Sequence, residues 1–210
     1  MLLRALAATG VAASLFGSSG LGGSPHPPPV PIVIDSVTAN GSGCPTGTAA
    51  VSVSPDNTAF TVTYSTYLAQ VGPGSSPTDY RKNCQLSLVV HVPGGYTYAV
   101  VSASYRGFAS LAPGASGIQR AGYHFQGSNR TTNSTHRFDG AFNDDWEVTD
   151  SVDVRARVFA PCGAERNLDI NTELQVDQGT SSPSATSFME MDSTDGSITS
   201  VYHLAWKRCR

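Results

Sequence analysis

Apolar residues recur at every second position over most of the chain beyond residue 32. The longest run lies between Asn83 and Gly107. There Leu86, Leu88, Val90 and Val92 share one face, and past Pro93-Gly94-Gly95 the residues Thr97, Ala99, Val101, Ala103 and Tyr105 alternate with Tyr98, Val100 and Ser102. Alternation on both sides of a Pro-Gly-Gly break predicts a β-hairpin at the centre of the fold. Pro at the second turn position and Gly at the third suit a type II turn, whose third residue needs positive φ.

The same period predicts further strands over 32–39, 49–53, 59–64, 118–126, 137–142, 146–159, 168–176, 187–191 and 198–206. Gly, Pro, Asn and Ser punctuate them, as in Asn40-Gly41-Ser42-Gly43 and Ser54-Pro55-Asp56-Asn57. Residues 71–82 and 108–117 are expected as loops. About eleven short strands with no helical period argue for an all-β, antiparallel β-sandwich, jelly-roll-like in connectivity. No composition shift divides residues 32–210, so they are expected as a single domain. Pro-rich residues 21–31 are expected to form a mobile, extended entry segment.

Composition narrows the compartment. The chain has 210 residues, only 14% of them charged, with 21 Gly and 13 Pro. That balance suits a secreted all-β protein better than a cytosolic helical enzyme. A net charge of -3 offers no footprint for nucleic acid or an anionic membrane. Residues 1–20 resemble a signal peptide: Arg4, a short apolar run to Phe16, then Gly17-Ser18-Ser19-Gly20. The run is shorter than the ~20 apolar residues of a membrane span. The expectation is an exported product, free of the membrane after cleavage and extracellular or associated with the cell wall.

Four cysteines, Cys44, Cys84, Cys162 and Cys209, suit that compartment. They allow three pairings. Cys44–Cys84 with Cys162–Cys209 is preferred, one staple near each end of the fold. Each loop so closed would constrain the unfolded chain by roughly 4 kcal/mol in the entropy model. The cysteines are too far apart in sequence for a zinc site. Sequons at Asn40, Asn129 and Asn133 are expected glycosylation sites, the last two in a loop, Gly-Ser-Asn-Arg-Thr-Thr-Asn-Ser-Thr-His.

Catalytic chemistry is hard to find. No G-x-S-x-G elbow occurs, and His26, His91, His124, His136 and His203 lack metal-ligand spacing. His91, His124 and His203 fall on strands and are expected to face outward. Acidic residues cluster between Asp139 and Asp153 as a solvated rim rather than a calcium loop. No catalytic residue, cofactor or metal is assigned. Aromatic residues could stack on sugars from a sheet face, with Tyr96, Tyr98, Tyr123 and Trp146 as the candidate ligand surface; the competing reading is cross-strand packing.

Several short motifs taken in order resemble one secreted family of fungi and some bacteria, catalogued as domain of unknown function 4360. They are Gly41-Ser42-Gly43-Cys44-Pro45, Arg81-Lys82-Asn83-Cys84-Gln85-Leu86, Tyr105-Arg106-Gly107 and Arg120-Ala121-Gly122-Tyr123-His124-Phe125. Pro161-Cys162-Gly163, Leu168-Asp169-Ile170-Asn171-Thr172 and Trp206-Lys207-Arg208-Cys209 complete the set. The resemblance implies a secreted, disulfide-bonded, β-rich domain and brings no activity with it.

The favoured reading is a non-enzymatic binding module at the cell wall or extracellular surface, its partner a polysaccharide or an extracellular protein. The alternatives are a hydrolase or lyase on a jelly-roll scaffold, marked by a His-plus-carboxylate groove, and an effector or inhibitor acting through a projecting loop at 108–117.

Overall fold

The computed structural model describes residues 27–153, 157–163, 165–191 and 199–209. The leader expected over 1–20 lies outside them. Among the described residues there are twelve strands and no helix, so none is long and apolar enough to cross a membrane. The strands are β1 (Val33–Asn40), β2 (Ala49–Val53), β3 (Ala59–Tyr64), β4 (Leu68–Val71), β5 (Arg81–His91) and β6 (Tyr96–Leu111). The second half holds β7 (Ser116–Phe125), β8 (Thr132–Asp139), β9 (Phe142–Ser151), β10 (Leu168–Asp177), β11 (Ser187–Glu190) and β12 (Thr199–Arg208). One sheet, here sheet A, runs β1-β5-β10-β7-β8. The other, sheet B, runs β2-β3-β12-β6-β11-β4, with β9 on the second edge of β6. All pairings are antiparallel, and the two sheets bury a common core as a β-sandwich.

The central hairpin does not form as expected. β5 pairs with β1 and β10 in sheet A, while β6 pairs with β12, β11 and β9 in sheet B. The connection at Pro93–Gly95 carries the chain from one sheet to the other. Leu86, Leu88 and Val90 on β5 and Tyr98 and Val100 on β6 are all buried in the core. Two strands that are each apolar on one face can satisfy both faces by meeting across the sandwich instead of edge to edge. The turn also starts one residue late: Tyr96 N donates to Pro93 O at 3.2 Å, and Gly95 is the residue with positive φ, 81°.

Inward positions on sheet A are Leu86 and Leu88 from β5 and Leu168, Ile170 and Leu174 from β10, all without exposure. Burial of each contributes about 2 to 3 kcal/mol relative to the exposed side chain. Sheet B answers with aromatic rings. Phe60 stacks on Tyr202 with centroids 4.8 Å apart, and Tyr98 meets both Phe125 and Trp206. Tyr67 closes one end, its hydroxyl 3.1 Å from Thr172 Oγ1. Gly43 must be glycine, because a Cβ there would collide with the Tyr67 ring.

Both expected disulfides are present. Cys44–Cys84 ties the β1–β2 connection to β5, and Cys162–Cys209 ties the 157–163 segment to the end of β12, with Cα separations of 5.2 and 5.8 Å. No free cysteine remains.

Several sequence expectations need correction. The strand expected over 146–159 ends at Ser151, and residues 157–161 run beside β6 instead, with Ala160 N donating to Tyr98 O. β4 formed within a stretch whose short run carried no clear alternation. The 108–117 loop is almost all strand; only Ala112–Ala115 turns, and Thr180 N holds that turn through Gly114 O at 3.1 Å. A projecting inhibitor loop is therefore absent there. Residues 28–32 are tied down as well. Asn57 Nδ2 donates to Pro28 O and Val30 O, and Ile32 N donates to Asn57 Oδ1, at 2.9 to 3.1 Å.

Candidate functional site: the outer face of sheet A

Three of the four aromatics expected on a ligand surface are core residues. Tyr98 is 2%, Trp146 3% and Tyr123 8% exposed. Burial drives the Tyr98 and Tyr123 hydroxyls above the ordinary tyrosine range, Tyr123 to about 12. Tyr96 is half-buried beneath the Arg208 guanidinium, 5.7 Å from its ring centroid. Stacking a sugar on an aromatic platform built from these four is thereby excluded. Cross-strand and cross-sheet packing claims them.

The outward side of sheet A is built differently. Its strands alternate between core residues and polar side chains, so β5 presents Arg81, Asn83, Gln85 and Ser87 while β10 presents Asp169, Asn171, Glu173 and Gln175. Next come Ile118, Arg120, Gly122 and His124 from β7, then Asn133, Thr135 and Arg137 from β8. Register aligns these residues into rows across the strands. Asn40 pairs with Gln85, Gln85 with Asn171, Asn171 with Gly122 and Gly122 with Asn133. Four side-chain amides thus share one row, broken only where Gly122 has no side chain. Strand spacings of about 4.8 Å put the two ends roughly 19 Å apart. The adjoining row is Asn83, Glu173, Arg120 and Thr135.

The gap at Gly122 is the floor of an open trough of about 380 Å³. Its walls include Asn83, Arg120, Asn133, Thr135, Asn171 and Glu173. Glu173 organises one side. Its carboxylate accepts from Arg81 Nε at 2.6 Å and forms an ion pair with Arg120, whose Nη1 also donates to Gln175 Oε1 at 3.0 Å. Both guanidiniums are thereby fixed, and each keeps further N–H donors available. The trough offers amide donors and acceptors, a hydroxyl and directed guanidinium donors, with no aromatic ring among its lining residues.

Three His–carboxylate pairs bear on the enzyme alternative. His124 Nε2 lies 3.5 Å from Asp169 Oδ2 on the outer face, and His136 Nε2 lies 2.7 Å from Asp150 Oδ1 between β8 and β9. His91 Nδ1 lies 3.7 Å from Glu165 Oε1 in a groove beside the β5–β6 connection, both side chains exposed, and the hydroxyl of Thr97, which lines that groove, donates to Ala160 O. In none of the three is a nucleophile aligned against the imidazole. Asp169 also accepts from Ser87 Oγ at 2.6 Å. Ser134 Oγ donates to Asp150 rather than to the imidazole, so the carboxylate bridges serine and histidine and no base stands against the hydroxyl. Glu173 and Asp169 are four residues apart on one strand, about 13 Å, beyond the 5–10 Å a glycosidase pair requires. Of the outward histidines, His91 and His203 are exposed and His124 half-buried. Among the described residues, no three His, Cys, Asp or Glu side chains converge on a metal position.

All three sequon asparagines are exposed. Asn129 lies in the β7–β8 connection, but Asn133 sits on β8 rather than in the expected loop, one residue into the strand and at the end of the amide row. The trough was missed in sequence reading because its members come from four separated segments. Its signal was there: amides and other polar groups at every second position in Asn83-Cys84-Gln85, in Asn171-Thr172-Glu173-Leu174-Gln175 and in Asn133-Ser134-Thr135.

Comparison with known proteins places these features in context. A relative described as an uncharacterized secreted protein, from Arthroderma benhamiae, is 36% identical over 197 residues, covering 94% of this chain and 79% of its own length. Among solved structures, the enzymatically active domain of bacteriophage CBA120 tailspike protein 4 aligns at 11% identity with a TM-score of 0.25, over 84% of this chain and 20% of its own. A likeness that slight bears on neither fold nor activity. The family model described as Domain of unknown function (DUF4360) matches residues 31–209, both disulfides and the whole amide row included. The chain belongs to that family.

Proposed function

We propose that the protein is exported and binds a neutral, hydroxyl-rich polymer, such as a cell-wall polysaccharide, through the outer face of sheet A. The observation that carries this reading is the row Asn40–Gln85–Asn171–Gly122–Asn133 with its trough at the glycine. Side-chain amides donate and accept at once, which matches hydroxyl groups that do the same. Three outward arginines (81, 120 and 137) stand against four outward carboxylates (139, 169, 173 and 177), a near balance that gives the face no strong field to select a highly charged ligand. The sheet already fixes the backbone of these groups, so binding orders only their side-chain rotamers. The secreted relative and the two disulfides support action outside the cell.

A panel of soluble and insoluble polysaccharides, offered to the protein made without N-glycans, tests the reading. Wild type should be retained by at least one neutral polymer. Asn171→Ala and Arg120→Ala should each weaken that retention about tenfold, the loss of one or two good hydrogen bonds. Ser104→Ala, on the outer side of sheet B, should leave it unchanged. Retention unaffected by either trough variant, or hydrolysis of a polymer by the pure protein, would overturn it.

A further inference from the structure

The amide row ends at both edges of sheet A on a sequon asparagine, Asn40 on β1 and Asn133 on β8. The two ends are not equivalent. Across from Asn40 stands Gln85, which carries a full side chain; across from Asn133 stands Gly122, which carries none. A Cβ at Gly122 would collide with Asn133 Oδ1. The Asn133 side chain therefore leans inward over the glycine, with Oδ1 nearest to it. A half-turn about the Cβ–Cγ bond exchanges the two amide atoms, and a sugar on Nδ2 in that position would start inside the trough, among Arg120, Thr135 and Asn171.

We propose that Asn133 is N-glycosylated and that its first sugars lie in the trough, so that occupancy of Asn133 decides whether the outer face of sheet A is open to an external polymer. The regulatory part rests on the binding function proposed above; the seating of the glycan does not. The modification needs a lipid-linked oligosaccharyl diphosphate as donor. A C–N bond forms between the anomeric carbon and Asn133 Nδ2, the C–O bond to the diphosphate breaks, and the lipid diphosphate leaves with that electron pair, the proton lost by the amide balancing its charge. Thr135, two residues on, supplies the hydroxyl of the acceptor sequence. The attached sugar is an N-acetylhexosamine, whose hydroxyls and acetamide suit the amide and guanidinium groups around Gly122. A tethered sugar meets those groups at high effective concentration and excludes a free competitor. The other two sequons lack this arrangement: Asn129 stands exposed in the β7–β8 connection, and Asn40 faces a filled position.

The test uses the full chain secreted from a eukaryotic host. Endoglycosidase release is followed site by site, by mass spectrometry of glycopeptides, on the folded protein and after denaturation. The Asn133 glycan should leave the folded protein at least about tenfold more slowly than glycans at Asn40 or Asn129, and at their rate once denatured. Gly122→Ala pushes the Asn133 amide out of the trough and should bring its release to within about threefold of the others. Asn171→Ala, which removes a wall on the exposed side and leaves the core intact, should do the same and stands in if the glycine variant misfolds. An unmodified Asn133, release as fast as at the other sites, or protection unchanged in both variants would overturn the seating. The regulatory part is read separately: Asn133→Gln should bind neutral polysaccharide at least about tenfold more tightly than the glycosylated protein. Equal binding by the two forms would overturn the regulation while leaving a protected glycan in place. Absence of binding by the unglycosylated form would instead sink the proposed function.

Discussion

Asn57 holds the entry of the chain against the β2–β3 turn and β12 of sheet B, and its replacement is the sharpest test of how the fold is closed. Only 4% exposed, it makes three hydrogen bonds through one side chain, to the backbone of Pro28, Val30 and Ile32. Its own carbonyl accepts from Trp206 Nε1 at 2.8 Å, and its φ is 59°, in the left-handed region that Asn tolerates and most residues do not. Asn57→Ala removes three hydrogen bonds, two of them fully buried, at about 1 to 1.5 kcal/mol each and adds about 1 kcal/mol of backbone strain. Destabilisation of about 4 to 5.5 kcal/mol is expected. Asn57→Gly loses the same hydrogen bonds but relaxes at positive φ, so it should cost about 1 kcal/mol less. Guanidinium unfolding followed by tryptophan fluorescence, with an unchanged denaturant slope, measures both. Losses within about 0.5 kcal/mol of wild type would show that the entry segment is not held through Asn57. A glycine variant no better than the alanine variant would refute the strain argument alone.

Other expectations concern neighbouring features. The Asp56 carboxylate is held down to about 2 from 3.8, chiefly by the Ser54 hydroxyl and then by the Thr58 side chain and backbone. A depressed acid stabilises the fold above its unfolded value and loses that contribution as pH falls through the folded one. Stability should thus decline between about pH 4 and pH 2, and Asp56→Asn should flatten that slope in acid titrations; identical slopes would refute it. Ile170→Ala and Asn171→Ala, adjacent on β10, should separate fold from face. The first should cost about 2 to 5 kcal/mol, the second under about 0.5 kcal/mol while weakening polysaccharide retention. Equal stability losses would mean that the outward row is structural. Replacing Cys44 and Cys84 together by alanine should cost roughly 2 to 5 kcal/mol in thermal or denaturant unfolding, and no change would remove the staple from the account. Spectrophotometric titration should find Tyr64 and Tyr123 ionising only at about pH 12, because burial disfavours their charged form; ionisation near 10 in the native protein would contradict their placement.

Period-two alternation was enough to locate most strands, and to show which face of each would turn inward. Leu86 and Leu88, or Leu168 and Ile170, must share a face because successive β side chains point opposite ways. The cysteines, even in number and far apart, pointed to disulfides for a similar local reason. Which strand lies beside which is another matter. Alternation marks the apolar side of β5 and β6 but is silent on whether they meet edge to edge or across the core. The choice went to the core, where both apolar faces are covered at once. Asn57 looked like an ordinary turn residue, since hydrogen bonds to a segment some 25 to 29 residues upstream have no local trace. The outer face follows the same rule. Asn40, Gln85, Gly122, Asn133 and Asn171 become neighbours only through the register of five strands, and a slip of one residue in any of them would turn its polar group inward. Local pattern determined that these residues would point outward; only the packed sheets, by fixing that register, decided that they would point outward together.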